Sequence, residues 1–301
     1  MKITLTGSLG HISKPLMVEL VKKGHVVTVI SSNPEKQKDI EALGATAAIG
    51  SIMDVQFLTS AFKGADAVYI MLPPPPSLHD GRDPNFDVMA VLTKMANNYI
   101  EAIQKAGVKR VVHLSSIGAH MEKDSGIIVW AYNGEQMLNK LQNVDITFMR
   151  PVGFYYNLLS FIPAIKNMGM IASNYGGDDI IPWVSPIDIA AAIALEIVTP
   201  LSGRKVLYVA SEELSCNEVA TILGTAIGKP DLKWVIITDE QLLMGLEQAG
   251  LPKQFAAGLV EMNASQHNGK LFEDYYLNKP TLGKVKLKEW ATEFAAVYNK
   301  A

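Results

Sequence analysis

The chain opens KITLTGSLGHIS, so a β-branched run at residues 3–6 meets Gly7 and Gly10 and passes directly into an apolar-periodic stretch. Few architectures accept that order. A strand that bends at once into a helix needs a residue without a Cβ at the bend, and Gly7 supplies it. Gly10 likewise leaves the main chain open, so that an anion can approach the amides at the positive N-terminus of the helix. Strand, glycine turn and helix in this spacing form the grammar of a dinucleotide-binding fold, with Ser13 standing where a third glycine is usual. Gly7, Ser8, Leu9, Gly10, His11 and Ile12 are therefore the expected pyrophosphate turn. His11 has two readings, beside the phosphates or nicotinamide ribose, or facing solvent.

The context supports the turn. Ile12, Leu16 and Leu20 lie on one stripe with Met17 and Val21 beside it, and Lys22, Lys23 and Gly24 end the helix before a second strand at 26–30. Helix 34–43, strand 45–49, helix 55–62 and strand 67–72 follow. The four prolines 73–76 stop that last strand and are expected to form a stiff extended loop. Helix 86–106, strand 110–114, helix 129–141 and strand 146–149 complete an alternation that implies an α/β fold with a doubly wound parallel sheet of the Rossmann type. Beyond residue 150 helical segments predominate: 188–198, 218–227, 239–249 and the tail 285–298, with short strands at 205–209 and 233–237. The expected organisation is a dinucleotide-binding domain, 1–152, and a smaller, mainly helical C-terminal substrate region, 153–301, that covers the cleft and returns some strands to the sheet.

Bulk properties narrow the function classes. A net charge of -3 with interspersed signs offers no basic surface for nucleic acid. The single cysteine, Cys216, excludes an internal disulfide and reads as an inert small side chain. His267 lacks a second ligand at metal spacing, so no metal is expected. The opening core strand and the short apolar runs point to a cytoplasmic chain without a cleavable signal or a membrane span.

In open α/β sheets ligands gather outside the carboxyl ends of the strands, which selects residues 7–12, 31–36, 50–54, 71–76, 115–120 and 150–157. The fragments TGSLGHIS, SSNPEK, GADAVYIMLPP, GVKRVVHLSSIGA, NGEQML, DITFMRPVGFYYN and SPIDIAAAIA, in this order and spacing, resemble the NmrA-like family of atypical short-chain dehydrogenase relatives over nearly the whole chain. That resemblance implies a Rossmann domain binding NAD(P)(H). The family includes NADPH-dependent quinone reductases, reductases of aromatic plant metabolites, and regulators that bind the cofactor without turning it over.

An enzyme that chooses NAD places a carboxylate after its second strand, where it would repel a 2′-phosphate. Here Ser31, Ser32 and Asn33 occupy that place, with Lys36 one turn later, so NADP(H) is preferred over NAD(H). Family members that bind NADPH often carry Arg at the position of Ser32, and a polar turn capping the helix at Pro34 explains the same residues. Met71, Leu72 and Pro73 are expected to line the centre of the cofactor through backbone and apolar contact. Ser115 and Ser116 are expected to reach the nicotinamide ribose, and Val152 and Gly153 to face the carboxamide.

Short-chain dehydrogenases protonate their product with a Tyr assisted by a Lys four residues on. The resemblance puts those positions at Val129 and Asn133, so the pair is missing. The nearest phenol, Tyr132, has Ile128, Val129, Glu135 and Gln136 in helical register and no cation. Tyr132 and Asn133 remain the candidate catalytic side chains. One reading is an NAD(P)H-dependent reductase of quinones or conjugated carbonyls, small aromatic substrates that need little acid catalysis, with a pocket drawn from His120, Trp130, Tyr132, Phe154, Tyr155, Tyr156 and Trp183. Another is a regulator that senses NADP(H) and changes a surface for a partner protein. A third is an epimerase or isomerase with retained cofactor. Glu135 reads most simply as a carboxylate favoured by the helix dipole, and Asp188 as a helix cap.

Overall fold

The computed structural model describes residues 1–73, 87–200 and 202–300. Strands form along short apolar runs, and the central ones are buried on both faces. The first six are β1 (Lys2–Leu5), β2 (Val26–Ser31), β3 (Thr46–Ile49), β4 (Ala67–Met71), β5 (Arg110–Leu114) and β6 (Asp145–Pro151). Between them lie α1 (Ser13–Lys22), α2 (Gln37–Ala42), α3 (Val55–Phe62), α4 (Val88–Ala106) and α5 (Val129–Leu138). The prolines 74–76 and residue 86, which belong to an expected loop and helix start, lie outside the described residues.

After β6 come β7 (Gly153–Phe154), α6 (Ile162–Met168), β8 (Met170–Ser173), β9 (Ile180–Val184), α7 (Pro186–Glu196), β10 (Arg204–Val209), β11 (Glu212–Ser215) and α8 (Cys216–Ala226). The chain ends with β12 (Lys233–Ile236), α9 (Asp239–Gln248), α10 (Lys253–His267), α11 (Glu273–Leu277) and α12 (Leu287–Lys300). The main sheet has the order β10-β6-β5-β4-β1-β2-β3, and its pairings are parallel. Strand order reverses between β1 and β4, the place where a crevice opens at the carboxyl edge of such a sheet. The expected strand at 205–209 is its seventh member, β10.

Period-two alternation divides the core. Val68 and Ile70 of β4 pack with Phe62, Tyr99 and Ile103 of α3 and α4, whereas Ala67 and Tyr69 face Leu16, Met17 and Leu20 of α1. Asp54 starts α3 by accepting from the amides of Gln56 and Phe57 at 2.8 and 3.1 Å. Beyond the main sheet, β7, β9 and β11 form one small sheet and β8 pairs with β12.

Several expectations are corrected. The helix expected over 129–141 ends at Leu138, and the strand expected at 146–149 extends over Asp145–Pro151 because it pairs on both sides. Helix α10 has no counterpart in the sequence reading, since it buries only Ala256, Val260 and Ser265 and carries little periodic signal. Asp188 does not cap α7. Ser185 does, by accepting from the Ile187 amide, while Asp188 accepts from Ser211 Oγ at 2.6 Å and from the amides of Lys284 and Val285, tying down the C-terminal segment. Glu212 fixes the same tail by accepting from the Leu287 amide and the Tyr155 hydroxyl. Among the described residues, no helix is long and apolar enough to cross a membrane.

Candidate cofactor and substrate site

At the glycine turn Gly7 has φ +90, and a Cβ built on it would lie 2.4 Å from Ser13 Oγ and 2.8 Å from Met71 Sδ. Ser13 occupies the third small position because its hydroxyl donates to the Thr6 carbonyl at 2.9 Å, which lets a buried polar side chain sit between strand and helix. The same packing makes Gly7 obligatory. Ser8, at φ 54, donates its amide to Ile30 O, and Gly10 donates its amide to Gly7 O. The amides of Leu9, His11 and Ile12 have no acceptor among the described residues. Three unpartnered donors at the start of α1 suit a pyrophosphate, so the turn fits the cofactor that its sequence implies. Outside the turn, Leu9, Gly10, His11, Lys14 and Ile187 border an open groove of about 470 Å³.

After β2 the expected set divides. Ser31 is buried, accepts from Ser8 Oγ and the Asn33 amide, and donates to the Asn33 carbonyl; its hydroxyl holds the strand end together and is not free for a phosphate. Asn33 Oδ1 caps the following turn through the Glu35 amide. Ser32 and Lys36 are exposed, and Lys36 Nζ is 3.7 Å from Asp39.

At the end of β4 both backbone groups of Met71 are committed, the amide to Thr6 Oγ1 and the carbonyl to the Tyr99 hydroxyl, so Met71 offers only its side chain. Leu72 and Pro73 are half-buried, and Leu72 Cδ1 would meet a Cβ on Gly134 at 2.9 Å. Val152 has its side chain in the core and donates its amide to Val209 O. Gly153 lies in β7 against the Trp183 ring, where a Cβ would come within 3.2 Å. Ser116 is half-buried at the end of β5.

Ser115 leads to a buried polar network that the sequence reading did not foresee. Its hydroxyl donates to Glu135 Oε1 at 2.5 Å. Arg150 donates to the same carboxylate from Nε at 2.9 Å and Nη2 at 2.7 Å, and from Nη1 to the Tyr208 hydroxyl and Asp274 Oδ2 at 3.2 and 3.1 Å. The Tyr208 hydroxyl also donates to Asp274. Glu135 thus serves as a partner for a buried cation, and the helix-dipole reading does not describe it. Burial works to lower the Arg150 pKa, but the hydrogen bonds and charge of Glu135 outweigh it and hold the guanidinium above its ordinary value. The available signal was an arginine ending the apolar run ITFM, which a two-sided strand tolerates only with a buried acid.

Of the expected pocket rings, two belong to the core. Tyr155 is fully buried, stacks on Trp290 and donates its hydroxyl to Glu212 at 2.7 Å, with Val285 O a second acceptor within reach at 3.1 Å. Trp183 is buried in β9, and its Nε1 has no partner among the described residues. Phe154 and Tyr156 are half-buried, 4.9 Å apart, and Tyr156 stacks on His11 at 4.9 Å, so three rings join the glycine turn to the segment after β6. Trp130 packs against the cluster of Ala119, Ile128 and Ala131. His120 is half-buried beside Asp274 and Arg150; burial holds its pKa below the ordinary histidine value. Tyr132 and Asn133, half-buried on α5, have no side-chain hydrogen-bond partner among the described residues. No lysine stands one turn from Tyr132, and the neighbouring Glu135 is consumed by Arg150.

A family model described as NAD(P)H-binding matches residues 7–157, a span that starts at the first glycine of the turn. The chain is 26% identical over 264 residues to the NAD(P)H azoreductase of Xenophilus azovorans, covering 87% of this chain and 86% of that protein. It is 25% identical over 270 residues to quinone oxidoreductase 2 of Escherichia coli, covering 89% and 88%. A solved structure of an NADPH-dependent quinone oxidoreductase from Escherichia coli, complexed with NADPH, matches with a TM-score of 0.79 at 23% identity over 97% of this chain and 99% of that one. The triphenylmethane reductase of Citrobacter sp. matches with a TM-score of 0.76 at 20% identity over 98% and 100%. These two structures share its fold. With its glycine turn, its sheet order and the matched span in agreement, the chain belongs to the NAD(P)H-binding family.

Proposed function

We propose that this protein is an NADPH-dependent reductase of planar conjugated acceptors, quinones and azo or triphenylmethane dyes. The observation that carries the reading is the joining of the phosphate turn, through the stack of His11, Tyr156 and Phe154, to half-buried aromatic faces beside the strand ends. When bound, the reduced cofactor supplies a hydride equivalent. The amides of Leu9, His11 and Ile12 would hold its pyrophosphate, and Ser32, Asn33 and Lys36 would face its adenosine end. With no carboxylate at positions 31–33, a 2′-phosphate meets donors there, which favours NADPH over NADH.

The missing Tyr–Lys pair fits these acceptors. A reduced quinone is a stabilised anion that water or a single hydroxyl can protonate, and Tyr132 is the nearest phenol on α5. Phe154, the outer ring of that stack, orients a flat substrate by stacking and excludes water from one of its faces. In this reading residues 1–152 hold the cofactor and 153–301 close the cleft, and the names of the azoreductase, quinone oxidoreductase and triphenylmethane reductase relatives point to the same substrate class.

The test is steady-state loss of reduced-nicotinamide absorbance with NADPH and with NADH against a panel of quinones, azo dyes and triphenylmethane dyes. Turnover with NADPH on at least one class supports the reading. Tight binding without turnover on any of them replaces it with the cofactor-sensing regulator.

A further inference from the structure

Ser115 directly follows β5 at the carboxyl edge of the sheet, half-buried, and its only hydroxyl proton is directed at Glu135 Oε1, 2.5 Å away. Glu135 is buried, and both its oxygens accept from Arg150, so the carboxylate is an acceptor and returns no proton to the serine. Arg150 is itself fixed from the far side by Tyr208 of β10 and Asp274 of α11. This chain cannot pass protons outward, because a guanidinium held above its ordinary pKa does not give one up. What it can do is set direction: Ser115 is left with lone pairs alone to offer a ligand.

We propose that Glu135 is a positioning residue that makes Ser115 a pure hydrogen-bond acceptor, and that Ser115 thereby recognises a donor, the nicotinamide-ribose hydroxyl of the bound cofactor. The inference rests on the cofactor reading above. It also removes Ser115 as the acid for the reduced product, since its proton is already given away.

NADPH and, separately, the adenosine bisphosphate fragment of NADPH are titrated into the full chain as wild type, Ser115→Ala, Glu135→Gln and the double variant, followed by tryptophan fluorescence. Ser115→Ala is expected to weaken NADPH by about tenfold, the scale of one hydrogen bond with a charged partner behind it, and Glu135→Gln, whose amide oxygen still accepts from Ser115 but carries no charge, by a smaller factor. The double variant is expected to be no weaker than Ser115→Ala, because an acceptor has nothing to orient once the hydroxyl is gone. The fragment, which lacks the second ribose, is expected to bind all four proteins equally. A fragment affinity that falls in parallel with NADPH, a double variant weakened by about a hundredfold, or an unaltered Ser115→Ala overturns the proposal. If Glu135→Gln fails to fold, Ser115→Ala and Ser115→Thr decide: threonine must restore what alanine loses, and its failure to do so overturns the proposal equally. A wild-type chain that binds the fragment and NADPH not at all removes the cofactor reading and this inference with it.

Discussion

Arg150 and Glu135 face each other as a two-point ion pair, Nε to Oε1 at 2.9 Å and Nη2 to Oε2 at 2.7 Å, both side chains almost fully removed from solvent. The pair links the last strand of the dinucleotide half to the helix that carries Tyr132. Breaking it from one side leaves an uncompensated buried charge, so Arg150→Met is expected to cost about 3–5 kcal/mol in urea unfolding. The double change with Glu135→Leu is expected to recover part of that loss, since the two most deeply buried charges then go together and Asp274, which is partly exposed, keeps its bond from Tyr208. A double variant less stable than Arg150→Met would show that the pair is not the source of the effect.

Gly7 is constrained by what surrounds it, with φ +90 and Ser13 Oγ 2.4 Å from the place of a Cβ. Gly7→Ala is expected to destabilise the chain by about 2 kcal/mol from backbone strain and crowding together and to abolish measurable NADPH binding. Adding Ser13→Gly should return part of the stability, as it empties the crowded position. Thermal melts with and without NADPH check both statements.

Cofactor choice is expected to follow charge after β2. Ser32→Asp introduces the carboxylate that repels a 2′-phosphate and should shift the NADPH to NADH preference toward NADH by about tenfold or more. Lys36→Ala should weaken NADPH several-fold and leave NADH near its original affinity. Equal effects on both nucleotides would place the phosphate elsewhere.

His113 of β5 is buried and neutral, its pKa lowered to about 4 mainly by burial, with a hydrogen bond to the Ile70 backbone opposing the shift. The folded value lies below the ordinary 6.5, so on acidification the unfolded chain takes up this proton first. The associated stability is complete above about pH 6.5, falls as the pH drops toward 4, and amounts to about 3 kcal/mol. His113→Gln is expected to flatten that part of the stability profile, read as the wild-type minus variant difference in urea midpoints across this window.

Local chemistry made the nucleotide half legible. The span 55–62 coincides with α3 and 110–114 with β5, because Asp54 and the surrounding turns punctuate them sharply. The glycine turn was readable because a strand that becomes a helix within a few residues leaves little freedom. What stayed hidden depends on long-range packing. Ser31 and Met71 have the residue types of ligand contacts, yet neighbours such as Ser8, Thr6 and Tyr99 consume their polar groups. Tyr155 and Tyr156 are adjacent in sequence and opposite in fate, one turned into the core toward Trp290 and the other toward His11. Arg150, Tyr208 and Asp274 come from three distant segments, so no spacing rule joins them to Glu135.

A single-turnover experiment on the preformed NADPH complex goes to the heart of the matter. Protein in excess over NADPH is mixed anaerobically with a soluble quinone, and nicotinamide absorbance and fluorescence are followed together. The expected result is full oxidation of the bound nucleotide much faster than for free NADPH, with Tyr132→Phe slowing it by no more than about tenfold, below the usual range for loss of a general acid. A complex that forms but stays reduced with every acceptor, or oxidation no faster than in solution, would contradict a reductase built on this fold.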